Sequence, residues 1–117
     1  MIISKLIVTP VATHDQPLLN STGVHESYRT RTIVQIETTD GYTGAGETYG
    51  DRDDEIAANR NWIVGHDPRQ MTQARLRWEG SPSAWAAVET AMLDAAAKHV
   101  GLPVCDYIGG RARDRVE

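Results

Sequence analysis

The sequence contains no phenylalanine and a single cysteine among its 117 residues, and aromatic residues make up only 6% of it. One cysteine, Cys105, cannot form an internal disulfide, which excludes the small disulfide-stapled secreted domains. No CxxC or Cys/His pairing suggests a zinc site. We therefore expect Cys105 to be a buried free thiol in a reducing cytoplasm, because free cysteine usually behaves as a small hydrophobic residue.

Long apolar runs and basic clusters are also missing. The stretch Met1–Val8 is too short and too interrupted for a signal peptide, and no apolar run has the length that a membrane span needs. The formal net charge is -4, the pI is near 5.5, and the twelve basic residues are scattered along the chain. These features predict a cytoplasmic protein that binds neither nucleic acid nor a membrane.

Known catalytic motifs are absent as well. The sequence has no GxxxxGK, HExxH or GxSxG, and so we predict no catalytic residue. A hard-metal cluster of Glu47, Asp51, Asp53 and Asp54 is conceivable, but a helix N-terminus explains the last three more simply, and we predict no metal ligand. The remaining isolated candidates are predicted to be surface or capping residues: His14, His66 and His99.

Three segments have the pattern of strands. Ile2–Val11 and Arg31–Thr38 are rich in β-branched residues. Asp40-Gly41 then predicts a hairpin leading into a third strand, Tyr42–Thr48. The long segment Pro17–Arg29 between the first two strands is polar and interrupted by glycine and proline, which predicts a loop without regular structure.

Three helices are predicted to follow the strands. Acidic residues favour a start near Asp53 for the first, which runs to Val64. The second has Asp67 as N-cap and Pro68 at its first position, and it ends near Trp78. Ser81-Pro82-Ser83 opens the third, Ser83–Val100, which is apolar nearly all round and is therefore expected to be the buried helix.

The predicted fold is α+β: a three-stranded antiparallel β-meander followed by a three-helix bundle. A chain of this length, with 40% hydrophobic residues, fits one domain. Gly101 and Pro103 end the last helix, Val104–Ile108 forms a short apolar turn, and the charged segment 111–117 is predicted to be the start of a linker.

Two groups of motifs resemble a known family. The first group comprises Leu18-Leu19-Asn20, His25, Arg31-Thr32-Ile33-Val34 and Thr43-Gly44-Ala45-Gly46-Glu47. In order and spacing it resembles the start of glucarate dehydratases and their relatives. The second resembles the last helix and exit of enolase-superfamily capping domains; it comprises Ala87-Val88-Glu89-Thr90-Ala91-Met92-Leu93-Asp94, Lys98, Gly101-Leu102-Pro103-Val104 and Ile108-Gly109-Gly110.

The resemblance implies that residues 1–110 form an enolase-like N-terminal capping domain, a lid over the mouth of a (β/α) barrel. In such enzymes the barrel carries the bases and the Mg²⁺ ligands. The intact protein would be a hydro-lyase that removes water from an acid sugar by β-elimination. The barrel is absent from this chain, so we expect it to be an inactive fragment that binds no cofactor itself. Its expected partners are the acid-sugar substrate, the barrel domain and further copies of the chain, since a bare apolar face promotes association.

Two loop residues acquire a role through the resemblance. Asn20 and His25 match the positions that contact the distal end of the bound sugar diacid; an amide can bond hydroxyl or carboxylate oxygens, and an imidazole N–H bonds an ionised acceptor strongly. The family also places a polar residue just before the acidic position of the last helix. This sequence has Ala84, Trp85 and Ala86 there, so the contact is expected to be missing, and acid sugars other than glucarate stay open as substrates.

Glu89 and Asp94 also match family positions, and we interpret them as structural groups. Two alternatives to the dehydratase cap stay open at this point. One is a stand-alone binding or interaction module with the capping fold, and the other is the cap of another acid-sugar dehydratase or of a racemase of the superfamily.

Overall fold

The computed structural model describes residues 1–14, 16–17, 19–21, 23–24 and 27–116, and it gives only the backbone of Asn20 and Val24. The strands are β1 (Ile3–His14), β2 (Leu19–Asn20), β3 (Gly23–Val24), β4 (Tyr28–Thr38) and β5 (Thr43–Tyr49). The helices are α1 (Asp53–Ala58), α2 (Arg60–Ile63), α3 (Met71–Arg77), α4 (Pro82–His99) and α5 (Val104–Tyr107). No helix among these residues is both long and apolar enough to cross a membrane.

The three long strands form an antiparallel sheet in the order β1-β4-β5, as the meander prediction requires. Buried and exposed residues alternate along β4, and this alternation shows which face of the sheet is covered by the helices. Every second residue from Thr32 to Thr38 is buried, whereas the residues between them face outward. The Asp40-Gly41 turn joins β4 to β5, with Gly41 at a φ of 87°, and the predicted hairpin is confirmed.

The segment expected to lack regular structure contains a second, very small sheet. Leu19 pairs with Val24 and Asn20 with Gly23, so that β2 and β3 form a two-residue antiparallel pair. The prediction was wrong here because two paired residues are too few to show the alternation by which a strand is recognised in a sequence.

The first predicted helix, Asp53–Val64, is broken at Asn59 into α1 and α2. The buried Asn59 amide donates to the carbonyls of Glu55 and Glu79, at 2.9 and 2.7 Å, and its Oδ1 accepts from the Trp62 indole. An asparagine that satisfies its own hydrogen bonds with nearby backbone competes with helix continuation. These contacts were not visible in the sequence.

The second helix begins later than predicted. Asp67 is not its N-cap, because α3 starts at Met71 with Gln70 as N-cap. The Asp67 carboxylate instead accepts from the backbone N–H of Arg69 at 2.9 Å and from its guanidinium at 2.6 to 3.2 Å. The Asp67 carboxylate is thus engaged in this local turn and does not cap the helix.

The third helix, α4, is the buried one, as its composition predicts. Ser81 caps it, accepting from the N–H of Ala84 at 3.2 Å. It packs on β5 and β4 along a stripe of alanines that faces Gly44 and Gly46. A Cβ added at either glycine would lie 2.0 Å from a backbone carbonyl oxygen of α4, which explains why this strand carries glycine.

The core lies between the sheet and the helices, with Ile36, Ile56, Ile63 and Met92 among its fully buried members. Two expectations about single residues were wrong. Cys105 is exposed, since the short helix α5 lies at the edge of the domain and has no buried residue. His66 is buried rather than at the surface, with its ring 5.7 Å from that of Trp62 and its Nε2 3.1 Å from the Gln70 carbonyl.

Candidate functional site

The resemblance directs attention to the end of the sheet where β1 leads into β4 through residues 15–27. His14 and Tyr28 are the last paired residues of this β1–β4 ribbon, and their rings meet edge to face at 5.2 Å. Tyr28 is 67% exposed. An aromatic ring held in a defined position yet open to solvent is typical of a contact surface. We call this end of the sheet the loop end.

The two predicted substrate contacts differ in what the structure describes of them. Asn20 ends β2 and pairs with Gly23 through its backbone, which places it between the two strands of the ribbon in chain order. Its side chain and the whole of His25 lie outside the described residues. The substrate contacts of Asn20 and His25 therefore remain predictions.

A cluster of charged and aromatic side chains occupies the outward face of the sheet at the loop end. The Arg29 guanidinium donates to the Tyr49 hydroxyl, and Arg31 pairs with the Glu47 carboxylate. The Arg31 guanidinium also lies 4.5 Å from the centre of the Tyr49 ring, within the range of a cation–π contact. These contacts tie the start of β4, and so the stem of the preceding loop, to the end of β5.

The turn between β5 and α1 lies at the same end. The hydroxyl of Thr32, a fully buried residue of β4, donates to the Gly50 carbonyl and accepts from the Arg52 N–H, both at 2.8 Å. The Gly50 N–H bonds the Thr30 carbonyl at 2.9 Å, and Gly50 has a φ of 78°, which favours glycine. The Gly50–Arg52 turn is therefore fixed beside the stem of the loop.

A hydrogen-bonded network continues from this turn into the helices. Arg52 donates to Glu55 at 3.0 Å, and the other carboxylate oxygen of Glu55 accepts from the Ser81 N–H at 2.8 Å. The Ser81 hydrogen bond, followed by the Arg52 guanidinium, lowers the pKa of Glu55 below its usual value. Glu55 thus stays ionised and links the turn to Ser81, the N-cap of α4.

The acidic residues considered as a metal cluster are engaged in other ways. Glu47 pairs with Arg31, and Asp53, Asp54 and Glu55 occupy the first turn of α1 as predicted. A hydrogen bond with Asp53 raises the pKa of Asp51. Within the described part of the chain, no group of three or more His, Cys, Asp or Glu residues is placed to hold a metal ion.

The start of α4 is apolar where the resemblance predicts a polar residue. Ala84 and Trp85 are buried, and the Trp85 ring lies 5.6 Å from that of Trp78. Ala86 is exposed but carries no polar atom on its side chain. The Trp85 side chain thus packs against Trp78, the residue that follows α3.

A cavity of about 450 Å³ lies elsewhere, between β1 and α2. Its lining includes Lys5, Leu6 and Arg60, and it is open to solvent. Leu6 lies eight positions before the end of β1, so that at about 3.3 Å per residue the cavity is far from the loop end. We assign the candidate site to the loop end because two chain segments and an ordered network converge there.

Sequence reasoning found the loop but missed the turn and the charged cluster. Arg29 and Arg31 are two residues apart, and residues at that spacing lie on the same face of a strand. The sequence therefore did indicate that these two side chains are neighbours. Nothing in the sequence indicated that Tyr49 and Gly50 would meet them, because the pairing depends on the register between β4 and β5.

Comparisons with known proteins agree with the motifs. Residues 2–109 match the family model of the mandelate racemase / muconate lactonizing enzyme N-terminal domain. The chain is 34% identical to a probable glucarate dehydratase of Streptomyces coelicolor, over 98% of this chain and 33% of the relative. It is 31% identical to a D-galactarolactone cycloisomerase of Agrobacterium fabrum, over 93% of this chain and 34% of the relative.

Solved structures give the same picture. An enolase from Gibberella zeae, complexed with magnesium, formate and sulfate, superposes with a TM-score of 0.86 at 35% identity, over 99% of this chain and 32% of that one. This chain therefore spans about a third of the length of the relatives that it matches.

Proposed function

Since the chain belongs to the family of mandelate racemase / muconate lactonizing enzyme N-terminal domains, we propose that it is the substrate-specificity cap of a magnesium-dependent acid-sugar dehydratase of the glucarate dehydratase type. The observation that carries the proposal is the 34% identity to the Streptomyces coelicolor protein across 98% of the chain. The reaction of the intact enzyme would be β-elimination of water from a sugar diacid, in which the proton α to a carboxylate and the β-hydroxyl leave and a keto-acid forms.

In this proposal the loop end faces the substrate. Asn20 and His25 contact the distal carboxylate or hydroxyl groups of the diacid, and the ribbon formed by β1 and β4 carries them. The cluster of Arg29, Arg31 and Tyr49 holds the stem of the loop in place. Binding residues on a loop need such a rigid support if they are to discriminate between similar substrates.

The cap also excludes water from the reaction. Closing a site strengthens the polar contacts inside it, because the local dielectric falls when water leaves. The fixed Gly50–Arg52 turn supports this role, since it gives the lid a second ordered segment beside the loop.

Magnesium does not fit the described residues of this chain, which offer no group of ligands for it. We assign the metal and the catalytic bases to a part of the enzyme that corresponds to the other two-thirds of its relatives' length, in line with the magnesium in the Gibberella zeae structure. The chain on its own is then inactive, and its contribution is to bind and orient the substrate.

A second candidate is the cap of another sugar-acid enzyme of the superfamily, such as a cycloisomerase. The 31% identity to the Agrobacterium fabrum protein favours it. Both candidates use the same fold and differ in the substrate that the loop end accepts.

A chimera tests the proposal directly. The N-terminal third of the Streptomyces coelicolor relative is replaced by this chain, and turnover of several sugar diacids and of galactarolactone is measured with Mg²⁺. We expect keto-acid release from a diacid by the chimera and none by the 117-residue chain alone. The matched control is the unmodified relative, which shows what its own cap accepts.

Three results would contradict the proposal. Turnover by the isolated chain would mean that it carries its own catalytic groups. Ring-opening or ring-closing of the lactone without diacid dehydration would favour the second candidate. A folded chimera that binds Mg²⁺ but releases keto-acid from no sugar diacid would show that this domain is not the cap of such a dehydratase.

A further inference from the structure

β5 is an edge strand of the sheet. Its hydrogen bonds with β4 show which of its backbone N–H and C=O groups point away from the sheet. The hydrogen bonds Thr38 N–H to the Tyr42 carbonyl and Gly50 N–H to the Thr30 carbonyl, both 2.9 Å, frame the β4–β5 pairing. With the observed register, the even-numbered residues of β5 bond to β4. The backbone groups of Thr43 and Ala45 therefore point to the free edge.

Two side chains of α4 bond to those outward groups. Asp94 accepts from the Ala45 N–H at 3.0 Å, and Lys98 donates to the Thr43 carbonyl at 3.0 Å. Asp94 and Lys98 also pair with each other at 2.8 Å, four residues apart on the helix. One ion pair thus supplies the donor and the acceptor that a neighbouring strand would supply.

The close packing of α4 on β5 makes this arrangement possible. Gly44 and Gly46 let the backbone of the helix approach the strand, so that a side chain as short as Asp94 reaches the backbone of Ala45. The helix therefore lies over the edge of the sheet and not only over its face.

The opposite edge of the sheet is closed in a comparable way. Arg60 of α2 donates to the Leu6 carbonyl of β1 at 2.9 Å. Ile3 exchanges hydrogen bonds of 2.9 Å with residues 65 and 66, and Pro10 has no N–H to offer. Groups from α2, from the segment after it and from α4 thus cover part of both edges of the sheet.

We propose that Asp94 and Lys98 block the free edge of β5 and so prevent β5 from pairing with β5 of a second copy of this chain. An unprotected edge strand presents a row of backbone donors and acceptors that another chain can extend, and charged side chains are a known means of blocking it. The proposal is independent of the substrate assigned to the domain.

The test uses the 117-residue chain and the substitution Asp94→Ala. Circular dichroism establishes that the variant is folded, and hydrogen exchange is then measured at the Ala45 amide in dilute solution. We expect exchange at least about tenfold faster than in the original chain, because the amide loses its acceptor. Sedimentation over a concentration series should show additional association, with an infrared signal of intermolecular β-structure.

Three further variants distinguish blocking of the β5 edge from a contact that only stabilises the fold. Glu37→Ala removes the same charge from an exposed pair with Lys5 and should not promote association. Asp94→Asn retains an acceptor for the Ala45 N–H and should resemble the original chain. Lys98→Met uncovers only the Thr43 carbonyl and provides the test if Asp94→Ala does not fold.

The proposal is overturned if folded Asp94→Ala, or Lys98→Met in its place, associates no more than Glu37→Ala at any concentration. It is equally overturned if Asp94→Ala only melts at a lower temperature while its association is unchanged, since Asp94 would then merely attach α4 to the sheet.

Discussion

At the scale of single residues, Thr32 has the clearest structural role at the loop end. Its hydroxyl group is the common partner of the Gly50 carbonyl and the Arg52 N–H. Thr32 is fully buried, and each of these backbone groups would lose its partner without that oxygen. A buried polar group left unpaired costs roughly 1–3 kcal/mol.

Replacing Thr32 by valine, which has nearly the same shape, should therefore lower the free energy of unfolding by about 1–3 kcal/mol. Urea unfolding measures the change, and hydrogen exchange at the Arg52 amide locates it. Thr30→Val, two residues earlier on the exposed part of β4, is the control and should have little effect. Equal effects of the two substitutions would contradict the assigned role of the Thr32 hydroxyl.

His25→Ala tests the predicted substrate contact, and it requires the full-length enzyme. A hydrogen bond to a charged group contributes roughly 1.5–3 kcal/mol. Its loss corresponds to a fall of roughly 10- to 150-fold in kcat/KM at unchanged Mg²⁺ affinity. Asn20→Ala should cost less if its acceptor is a neutral hydroxyl, and the double variant should be non-additive if both residues hold one group.

The His25→Ala enzyme could instead melt at a much lower temperature while its folded form keeps unchanged kinetics. That result would contradict the predicted substrate contact. His25 would then be a structural histidine, and the substrate assignment of the loop would be wrong.

Asp67 gives a prediction about pH. Arg69 lowers its pKa to about 2. A carboxylate whose pKa is lowered by folding stabilises the native state above its unfolded pKa, near 3.8, and this stabilisation is lost as the pH falls toward 2. The contribution is at most about 1 kcal/mol, because solvent screens the partly exposed pair.

Asp67→Asn should thus be less stable than the original chain at neutral pH, and the two should converge between about pH 4 and pH 2. Thermal unfolding across that range measures the difference. Asp106→Asn is the control and should show a smaller effect at neutral pH, since the exposed Asp106–Arg111 pair has a separation of 3.7 Å. A difference at Asp67 that persists unchanged at pH 2 would show that charge is not its cause.

At the scale of elements, the contact between α4 and β5 is the main one outside the sheet itself. The helix presents Ala87, Ala91 and Ala95 to a strand that offers Gly44 and Gly46. Small residues on both sides let the two backbones approach closely, and Asp94 and Lys98 then reach the edge of the sheet. Packing of the face and closure of the edge therefore depend on the same two glycines.

Gly46→Ala should disturb this contact. The new Cβ would lie 2.0 Å from the Ala87 carbonyl oxygen, and a backbone atom cannot move aside as a side chain can. Overpacking of this kind costs about 1–3 kcal/mol. We expect a fall of several degrees in Tm, whereas the control Ala45→Ser adds one atom on the exposed face of the same strand and should leave Tm nearly unchanged.

An unchanged Tm in Gly46→Ala would mean that α4 can shift away from β5 without loss. In that case the backbone amide hydrogen of Ala45 would also exchange faster, because the Asp94 carboxylate would no longer accept its hydrogen bond.

At the scale of the whole molecule, the distribution of exposed apolar side chains indicates where the domain meets other chains. Val100, Leu102 and Ile108 are 49%, 46% and 64% exposed, and they lie in one short segment that runs from the C-cap of α4 to the C-cap of α5. Exposed apolar side chains that are grouped in this way mark interaction surfaces more often than isolated ones do. We expect the isolated chain to self-associate through this segment.

Ile108→Ser should weaken that association in a sedimentation series. Leu76→Ser is the matched control, since Leu76 is 82% exposed but lies on α3, away from the segment. If the original chain is strictly monomeric at high concentration, or if both substitutions act alike, the segment is not the contact surface.

The sequence alone determined the architecture of this protein. Hydrophobic alternation, the Asp40-Gly41 turn and the Ser81-Pro82 start of α4 are local signals, and each follows from the chemistry of a few adjacent residues. The three long strands, their order and the helices after them could therefore be predicted, and the match over residues 2–109 confirmed the family.

Only the tertiary structure decided which distant residues meet. The break at Asn59 depends on Glu79, the fixed turn at Gly50 depends on Thr32, and the closed edge of β5 depends on Asp94. Each of these contacts joins segments from 18 to 49 residues apart. Their geometry is set by strand register and helix packing, which no local pattern in the sequence encodes.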